Sequence, residues 1–295
     1  MTKRERQNLG WGLAFTAPWL VGLAVFTLYP VLASFYYSFC EYNVLTKPVF
    51  IGFGNYQDLV TDAIFWQALY NTFYYASLSL PLGTVLAVAL AMLLNSGVRG
   101  MTLYRTIFFI PSLVPMIAMA ILWMWIFNPE FGILNYLLQF AGLKGPNWLG
   151  NALWTKPAFV FMSFWSVGNA VVIYLAALQE VPVSLYESAD IDGASWHHKV
   201  RHITIPMISP VIFFNFIMGL IGSLQVFAIP YVMTGGTGQP VRSALFYAMY
   251  LYDTAFRYLK MGYACAMAVI LFLIILALTA WFMKVSKKHV HYMGN

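Results

Sequence analysis

The chain has 295 residues, 61% hydrophobic and only 9% charged, and its sixteen Lys and Arg outweigh ten Asp and Glu for a net charge of +6. So little charge on so long a chain excludes a water-soluble globular domain. The basic residues stand in small groups at the ends of apolar stretches rather than in one patch, which argues against a nucleic-acid partner.

Charged residues divide the chain into six charge-free stretches, 7–40, 63–98, 106–129, 157–179, 202–241 and 261–283. Each has at least the about 20 residues that a helix needs to cross a bilayer. Continuous apolar runs exclude a membrane β-barrel, whose strands alternate. The expectation is an all-α integral membrane protein with six transmembrane helices. Ten basic residues fall on one side of that arrangement: Lys3, Arg4, Arg6, Arg99, Arg105, Lys199, Arg201, Lys284, Lys287 and Lys288. The other six, Lys47, Lys144, Lys156, Arg242, Arg257 and Lys260, fall opposite. The positive-inside rule then makes both termini and the loop at 179–206 cytoplasmic.

In chain order, residues 1–10 read as a cytoplasmic tail, and 11–67 as the first helix with an outer loop. A core of five further helices follows over 68–283, and a cytoplasmic tail over 284–295. The first helix, about Trp11 to Phe35, is too long for a signal-peptide core and is read as retained, kinked at Pro18 and Pro30. Cys40 and Cys265 have no metal or disulfide spacing and read as apolar fillers. Helix two, about Ala68 to Leu94, is interrupted by Pro81 and Gly83. A loop with a Gly97/Gly100 turn leads to helix three, about Ile107 to Phe127, with Pro111 and Pro115 near its start. In the second outer loop, 128–156, Leu134 to Phe140 reads as a short amphipathic helix. It is suited equally to anchoring at the interface or to meeting an outer protein. Helix four, about Ala158 to Leu178, carries Trp165, Ser166 and Asn169. A mid-span amide must find a partner, so Asn169 lines either a solute path or a helix contact.

The densest polar stretch is Gln179 to Pro206. It holds four of the ten acidic residues, Glu180, Glu187, Asp190 and Asp192, and three of the five histidines, His197, His198 and His202. Pro182, or Ser184 with Glu187 at capping-box spacing, opens a helix there. Gly193 stops it, because glycine enters positive φ without steric cost. Ser195 caps a second short helix through about His202, and Pro206 and Pro210 punctuate the return to an apolar segment. His198 and His202 share a helical face at i, i+4, a spacing that zinc uses, although contacts to a partner or to lipid headgroups are simpler. Helix five, about Met207 to Val232, carries Gly219, Gly222, Ser223 and Gln225. A glycine-rich outer loop, 234–240, follows, then helix six, about Gly262 to Met283.

The run Glu187-Ser188-Ala189-x2-Asp192-Gly193-Ala194-x8-Ile203-x-Ile205-Pro206 resembles the EAA loop of ABC-importer permeases, E-A-A-x3-G with I-x-L-P downstream. Ser188, Val200 and Ile205 depart mildly from that pattern. Leu178-Gln179-x-Val181-Pro182-x2-Leu185-Tyr186-Glu187 is similar to the carbohydrate-uptake, maltose-type branch. So are Gly52-x2-Asn55-Tyr56, Phe131-Gly132-x2-Asn135, Asn147-Trp148-Leu149-Gly150, Gly222 to Phe227, Thr234 to Pro240 and Ala255 to Ala264. The resemblance runs from about residue 68 to 283 and more loosely to the N-terminus.

The resemblance implies a type I importer permease fold in the inner membrane of a prokaryote, with a cytoplasmic two-helix coupling loop. It implies that Tyr186, Glu187, Ala189, Asp192, Gly193, Ala194 and Pro206 meet an ATPase. Trp165, Ser166, Asn169, Gly222, Ser223 and Gln225 would line the solute path. The implied partners are a second homologous permease, two cytoplasmic ABC ATPase subunits, an extracytoplasmic sugar-binding protein and the bilayer. No cofactor is expected on this chain, with ATP and Mg on the ATPase, and no catalytic or metal-ligating residue is expected.

Two other classes compete. A self-sufficient secondary transporter or channel usually keeps intramembrane carboxylates, His or Lys, and the central spans have none. A membrane-embedded enzyme would need a reactive set, and only the histidines offer one. No G-x4-G-K-[ST] phosphate loop occurs, so any ATP-driven work must come from another chain.

Overall fold

A computed structural model describes residues 2–96 and 100–286. The Gly97 turn, Arg99 and the tail lysines Lys287 and Lys288 lie outside the described residues. Four helices are long and apolar enough to cross a membrane alone: Arg4–Tyr37, Ala63–Leu94, Trp196–Met233 and Met261–Ser286. Two bent pairs, Met101–Leu113 with Met116–Ile126 and Ala152–Ser166 with Gly168–Gln179, supply the remaining two crossings. With each bent pair counted as one crossing the six-helix membrane fold is present, with corrections to individual helices.

The chain forms two compact units. The first comprises Met1–Asp62 and Leu251–Leu273. Its first helix begins at Lys3 rather than Trp11, because Thr2 and Glu5 close a reciprocal capping box, with Thr2 N donating to Glu5 Oε2 at 2.7 Å. That helix runs as α1 (Lys3–Leu23), a π turn (Ala24–Leu28) and α2 (Tyr29–Tyr37), and its most apolar window has no buried residue. The π turn ends just ahead of Pro30. A proline lacks the N–H of the ladder and crowds the carbonyl four residues back, and the wider turn relieves both. Strands β1 (Cys40–Glu41) and β2 (Val49–Phe50) pair antiparallel ahead of α3 (Gly54–Thr61). Buried Asn55 donates to the carbonyls of Ser38 and Cys40, each at 2.9 Å, and Tyr56 donates to Ser38 Oγ at 2.8 Å. The Asn-Tyr pair of the outer loop thus staples the end of the first helix to the hairpin.

The second unit comprises Ala63–Tyr250 and Ile274–Asn295. Helix α4 (Ala63–Leu94) is continuous for 32 residues, with Pro81 inside it, so the expected interruption is absent. Helix three is broken instead. After α5 (Met101–Phe109) the chain passes through a 3-10 turn, Ile110–Leu113, and bends by 99° into α6 (Met116–Ile126). Val114, which precedes Pro115, is extended, as residues before proline are pushed to be. Helix α7 (Ile133–Phe140) is the short helix expected over 134–140. Helix four is α8 (Ala152–Ser163), a 3-10 turn (Phe164–Ser166) and α9 (Gly168–Gln179), bent by 46°. Gly168 allows the bend to seat against helix three, since a Cβ there would lie 2.6 Å from the Phe108 carbonyl oxygen.

Helices α10 (Val183–Ile191) and α11 (Trp196–Lys199) form the 179–206 loop. A π turn, Val200–Thr204, carries α11 straight into α12 (Ile205–Leu224), so Pro206 does not end a separate short helix. Helix α12 stops at Leu224, and α13 (Ala228–Met233) follows a break at Gln225–Phe227. Helices α14 (Tyr247–Tyr252) and α15 (Met261–Ser286) complete the chain.

Candidate functional site

Two features of the second unit concentrate the singled-out residues. The first is the loop. Pro182, with extended backbone, is the N-cap of α10, so Ser184 lies inside the first turn and its capping box with Glu187 does not form. At the other end Gly193 adopts φ +70°. Ala194 N donates to Ala189 O at 2.9 Å and Gly193 N to Asp190 O at 3.1 Å. These are the paired bonds of a Schellman cap, which needs its left-handed residue at position 193. Ser195 occupies the N-cap of α11 but makes no side-chain capping bond.

The loop is fixed to the membrane part by its inward side chains. Tyr186 packs on the cluster around Leu178, Val181 and Ile208, and its hydroxyl lies 2.9 Å from Thr204 Oγ1. Lys199 Nζ meets Asp190 Oδ1 at 2.6 Å, joining the two arms. An exposed pair of this kind adds little stability, so its value is geometric. Ala189 and Ala194 are half-buried beneath the turn, and Pro206 lies at the start of α12. Outward stand Glu187, which has no hydrogen bond or ion pair among the described residues, and Asp192. Ile191 is 88% exposed and Trp196 62% exposed. An acid beside large bare apolar side chains is the makeup of a surface that another protein covers.

The second feature is an open cavity of about 280 Å³ bounded by α4, both halves of helix four and α12. Ser166, Gly222 and Ser223 line it together with Asn215 and Tyr174. Trp165, Asn169 and Gln225 do not line it and are exposed on the chain. The hydroxyls of Thr84, Ser163, Ser166 and Ser223 each donate to a carbonyl of their own helix at 2.6–3.1 Å. Asn215 Nδ2 likewise donates to Val211 O at 3.0 Å. With those protons committed, the oxygens offer lone pairs to the cavity, so the wall is rich in hydrogen-bond acceptors without formal charge. Gly222 would meet nothing within 4 Å if it carried a Cβ, so its contribution is open volume. Gly219 is different: a Cβ would lie 2.6 Å from Leu80 Cδ1, so it serves close helix packing.

Sequence reasoning missed a third arrangement, at the N-terminal end of α4. Val241 and Arg242 both hold positive φ, +50° and +57°, which is costly for residues with a side chain. Gln67 Nε2 donates to Val241 O at 2.9 Å, and Asn71 Nδ2 donates to Arg242 O at 2.8 Å and to Leu245 O at 2.9 Å. Thr72 Oγ1 accepts from Tyr247 N at 2.9 Å. Lys156 Nζ reaches Asn71 Oδ1 at 3.3 Å and lies 4.7 Å above the Tyr70 ring. The only signal in the sequence is a run of amide and hydroxyl residues at the end of an otherwise apolar helix. In the segment 128–156 Trp148 Nε1 donates to Asn135 Oδ1 at 2.8 Å, which ties together two of the family-like motifs.

Among the described residues no three His, Cys, Asp or Glu lie close enough to hold a metal ion. His198 and His202 stack, ring centroids 4.1 Å apart, on one exposed face.

The model of the family described as "Binding-protein-dependent transport system inner membrane component" matches residues 79–292. The probable ABC transporter permease protein YesP of Bacillus subtilis (strain 168) is 37% identical, over 98% of this chain and 94% of its own length. The lactose transport system permease protein LacF of Rhizobium radiobacter is 35% identical, over 94% and 93%. A chain in the crystal structure of a bacterial alginate ABC transporter, in complex with an alginate pentasaccharide-bound periplasmic protein, superposes with a TM-score of 0.85. It covers 97% of this chain and 96% of its own at 22% identity, which shows a shared fold.

Proposed function

We infer the role of this chain from its family: it belongs to the binding-protein-dependent transport system inner membrane components. It is a multi-pass membrane permease, a transport component and not an enzyme. We propose that it carries a sugar or oligosaccharide, as the lactose permease relative is named for doing. An acceptor-rich, uncharged cavity wall suits the many hydroxyl donors of such a solute.

In this reading the residues 68–283 form the transport core, both termini and the 179–206 loop are cytoplasmic, and the segments 1–10 and 284–295 flank it. The partners are a second homologous permease, two cytoplasmic ABC ATPase subunits that bind ATP and Mg, and an extracytoplasmic sugar-binding protein. Helix α10 sits in a groove of one ATPase. Closure of the ATPase pair moves α10, and the seat of Tyr186 on the membrane core passes that motion to α9 and α12. The helices rock, and the solute passes from the outer protein to the cytoplasm by alternating access. Trp165, Asn169 and Gln225, bare on this chain, line the path where the second permease faces it. Ser166, Gly222 and Ser223 line its wall.

One observation carries this reading. Helix α10 turns Tyr186 into the protein and leaves Glu187, Asp192 and Ile191 outward with no partner of their own among the described residues. The test is to tag the C-terminus, extract the chain gently and identify what co-purifies. A P-loop ATPase and a second, related permease are expected. Recovery of the chain alone, in a detergent that preserves other complexes, would favour a self-sufficient carrier and contradict the proposal.

A further inference from the structure

The helix that leaves the loop has two unlike faces. Along Trp196–Ile205, Lys199, Val200, Ile203 and Thr204 turn inward, and Lys199 is spent on Asp190. His197, His198, Arg201, His202 and Ile205 turn outward. The paired spacing, 197/198 then 201/202 then 205, is one helical stripe. Arg201 has no hydrogen bond or ion pair among the described residues. His202 Nδ1 sits 3.1 Å from the His198 carbonyl, so that nitrogen carries the proton and Nε2 faces out. The nearby carboxylates, Glu187, Asp190 and Asp192, all belong to α10 and its end, and none lies on this stripe. The face therefore carries the Arg201 charge and three imidazole rings, uncompensated by carboxylates of the chain itself.

Its depth is also defined. The helix runs without a break from Trp196 to Leu224, 29 residues. At about 1.5 Å per residue that is roughly 44 Å, against about 30 Å of hydrocarbon. More than two turns must project beyond the acyl region at one end or both. The charge-free run begins at His202, so Arg201 and His202 stand at the boundary where phosphates lie. Trp196, one turn further out and 62% exposed, is an interfacial residue type. Ile191 and the Gly193 turn belong to the other arm, so the surface offered to a soluble protein adjoins this stripe only at Trp196.

We propose that the outward stripe His197, His198, Arg201 and His202 seats the phosphate headgroup of an anionic phospholipid in the leaflet beside the 179–206 loop. Arg201 supplies the fixed charge, and an N–H of His197 or His198 donates to a phosphate oxygen, whereas His202, its Nδ1–H spent on the His198 carbonyl, donates from Nε2 only as the imidazolium. The lipid would brace the base of the loop where the π turn Val200–Thr204 leads into α12. The proposal rests on the chain spanning a membrane and does not depend on which solute it carries.

The test is native mass spectrometry of the tagged complex after exchange into equal phosphatidylglycerol and phosphatidylcholine. Wild type is expected to retain phosphatidylglycerol over phosphatidylcholine. R201Q/H202Q should lose that retention, about fivefold for the Arg201 charge removed, while R201K/H202K keeps it and all three retain the same co-purifying proteins. Equal retention of the two lipids by wild type overturns the proposal whatever the variants do. Loss of a co-purifying protein from R201Q/H202Q with lipid retention unchanged overturns it as well, and assigns the stripe to that protein.

Discussion

The hydroxyl of Tyr186 lies 2.9 Å from Thr204 Oγ1, so the helix that meets the outside of the molecule is bonded to the root of the fifth span. Eighteen residues separate the two in sequence. Tyr186→Phe removes only that bond, at a cost of about 1 kcal/mol, or about a fivefold rise in the undocked fraction of the loop. Protease cleavage within 183–195 should accelerate and uptake should fall, while membrane insertion is unchanged. Protease digestion of vesicles with the loop outside, beside an uptake assay, reads both effects.

Gly193 has open space around it, so its constraint is conformational and not steric crowding. At φ +70° a valine costs about 1–2 kcal/mol or more, and the two bonds of the Schellman cap fail with it. Gly193→Val should abolish transport with normal membrane insertion. Gly193→Asn, which tolerates the left-handed region, should keep a measurable fraction. Normal uptake by the valine variant would contradict the coupling role of the loop.

Asn71 is the donor that holds the strained Arg242 backbone in place. Asn71→Leu leaves two carbonyls without their donor, at about 1–3 kcal/mol each if they stay dry. The expected result is a lower melting temperature and new trypsin cleavage after Arg242, which is exposed. The loop at 179–206 should stay as resistant to protease as in wild type.

Gly219 and Gly222 predict opposite phenotypes three residues apart. Gly222→Ala adds a methyl to the cavity wall with nothing within 4 Å of it, so it should lower uptake and leave the melting temperature unchanged. Gly219→Ala must displace Leu80 and should lower stability first. Asn169→Leu and Gln225→Leu should weaken uptake and leave ATPase co-purification intact. If co-purification fails instead, those two residues are structural.

What the sequence made legible was local or periodic. The six apolar runs, the Gly193 stop and the short helix near 134–140 each follow from chemistry within a few residues. The misreadings came from competition between neighbours. Pro182 takes the N-cap and disarms the Ser184–Glu187 pair. The π turns ahead of Pro30 and Pro206 let helices run through prolines that read as stops or kinks. The 99° break at Leu113–Met116 exceeds what two prolines alone announce, and the break at Gln225–Phe227 has no proline or glycine within it. The clamp of Asn71 on Arg242 joins residues 171 apart, beyond any local pattern. Half of the expected solute-path residues line the cavity. The rest, Trp165, Asn169 and Gln225, lie on a bare surface, which the proposed second permease would face.

The most direct test of the coupling claim is photo-crosslinking from Glu187→p-benzoylphenylalanine in native membranes, with Leu153, 81% exposed in the first turn of α8, as the control position. Adducts from position 187 to a P-loop ATPase, and none to it from position 153, are the result expected if α10 docks in that subunit. Adducts from position 187 to lipid alone, or equal ATPase adducts from both positions, would contradict it.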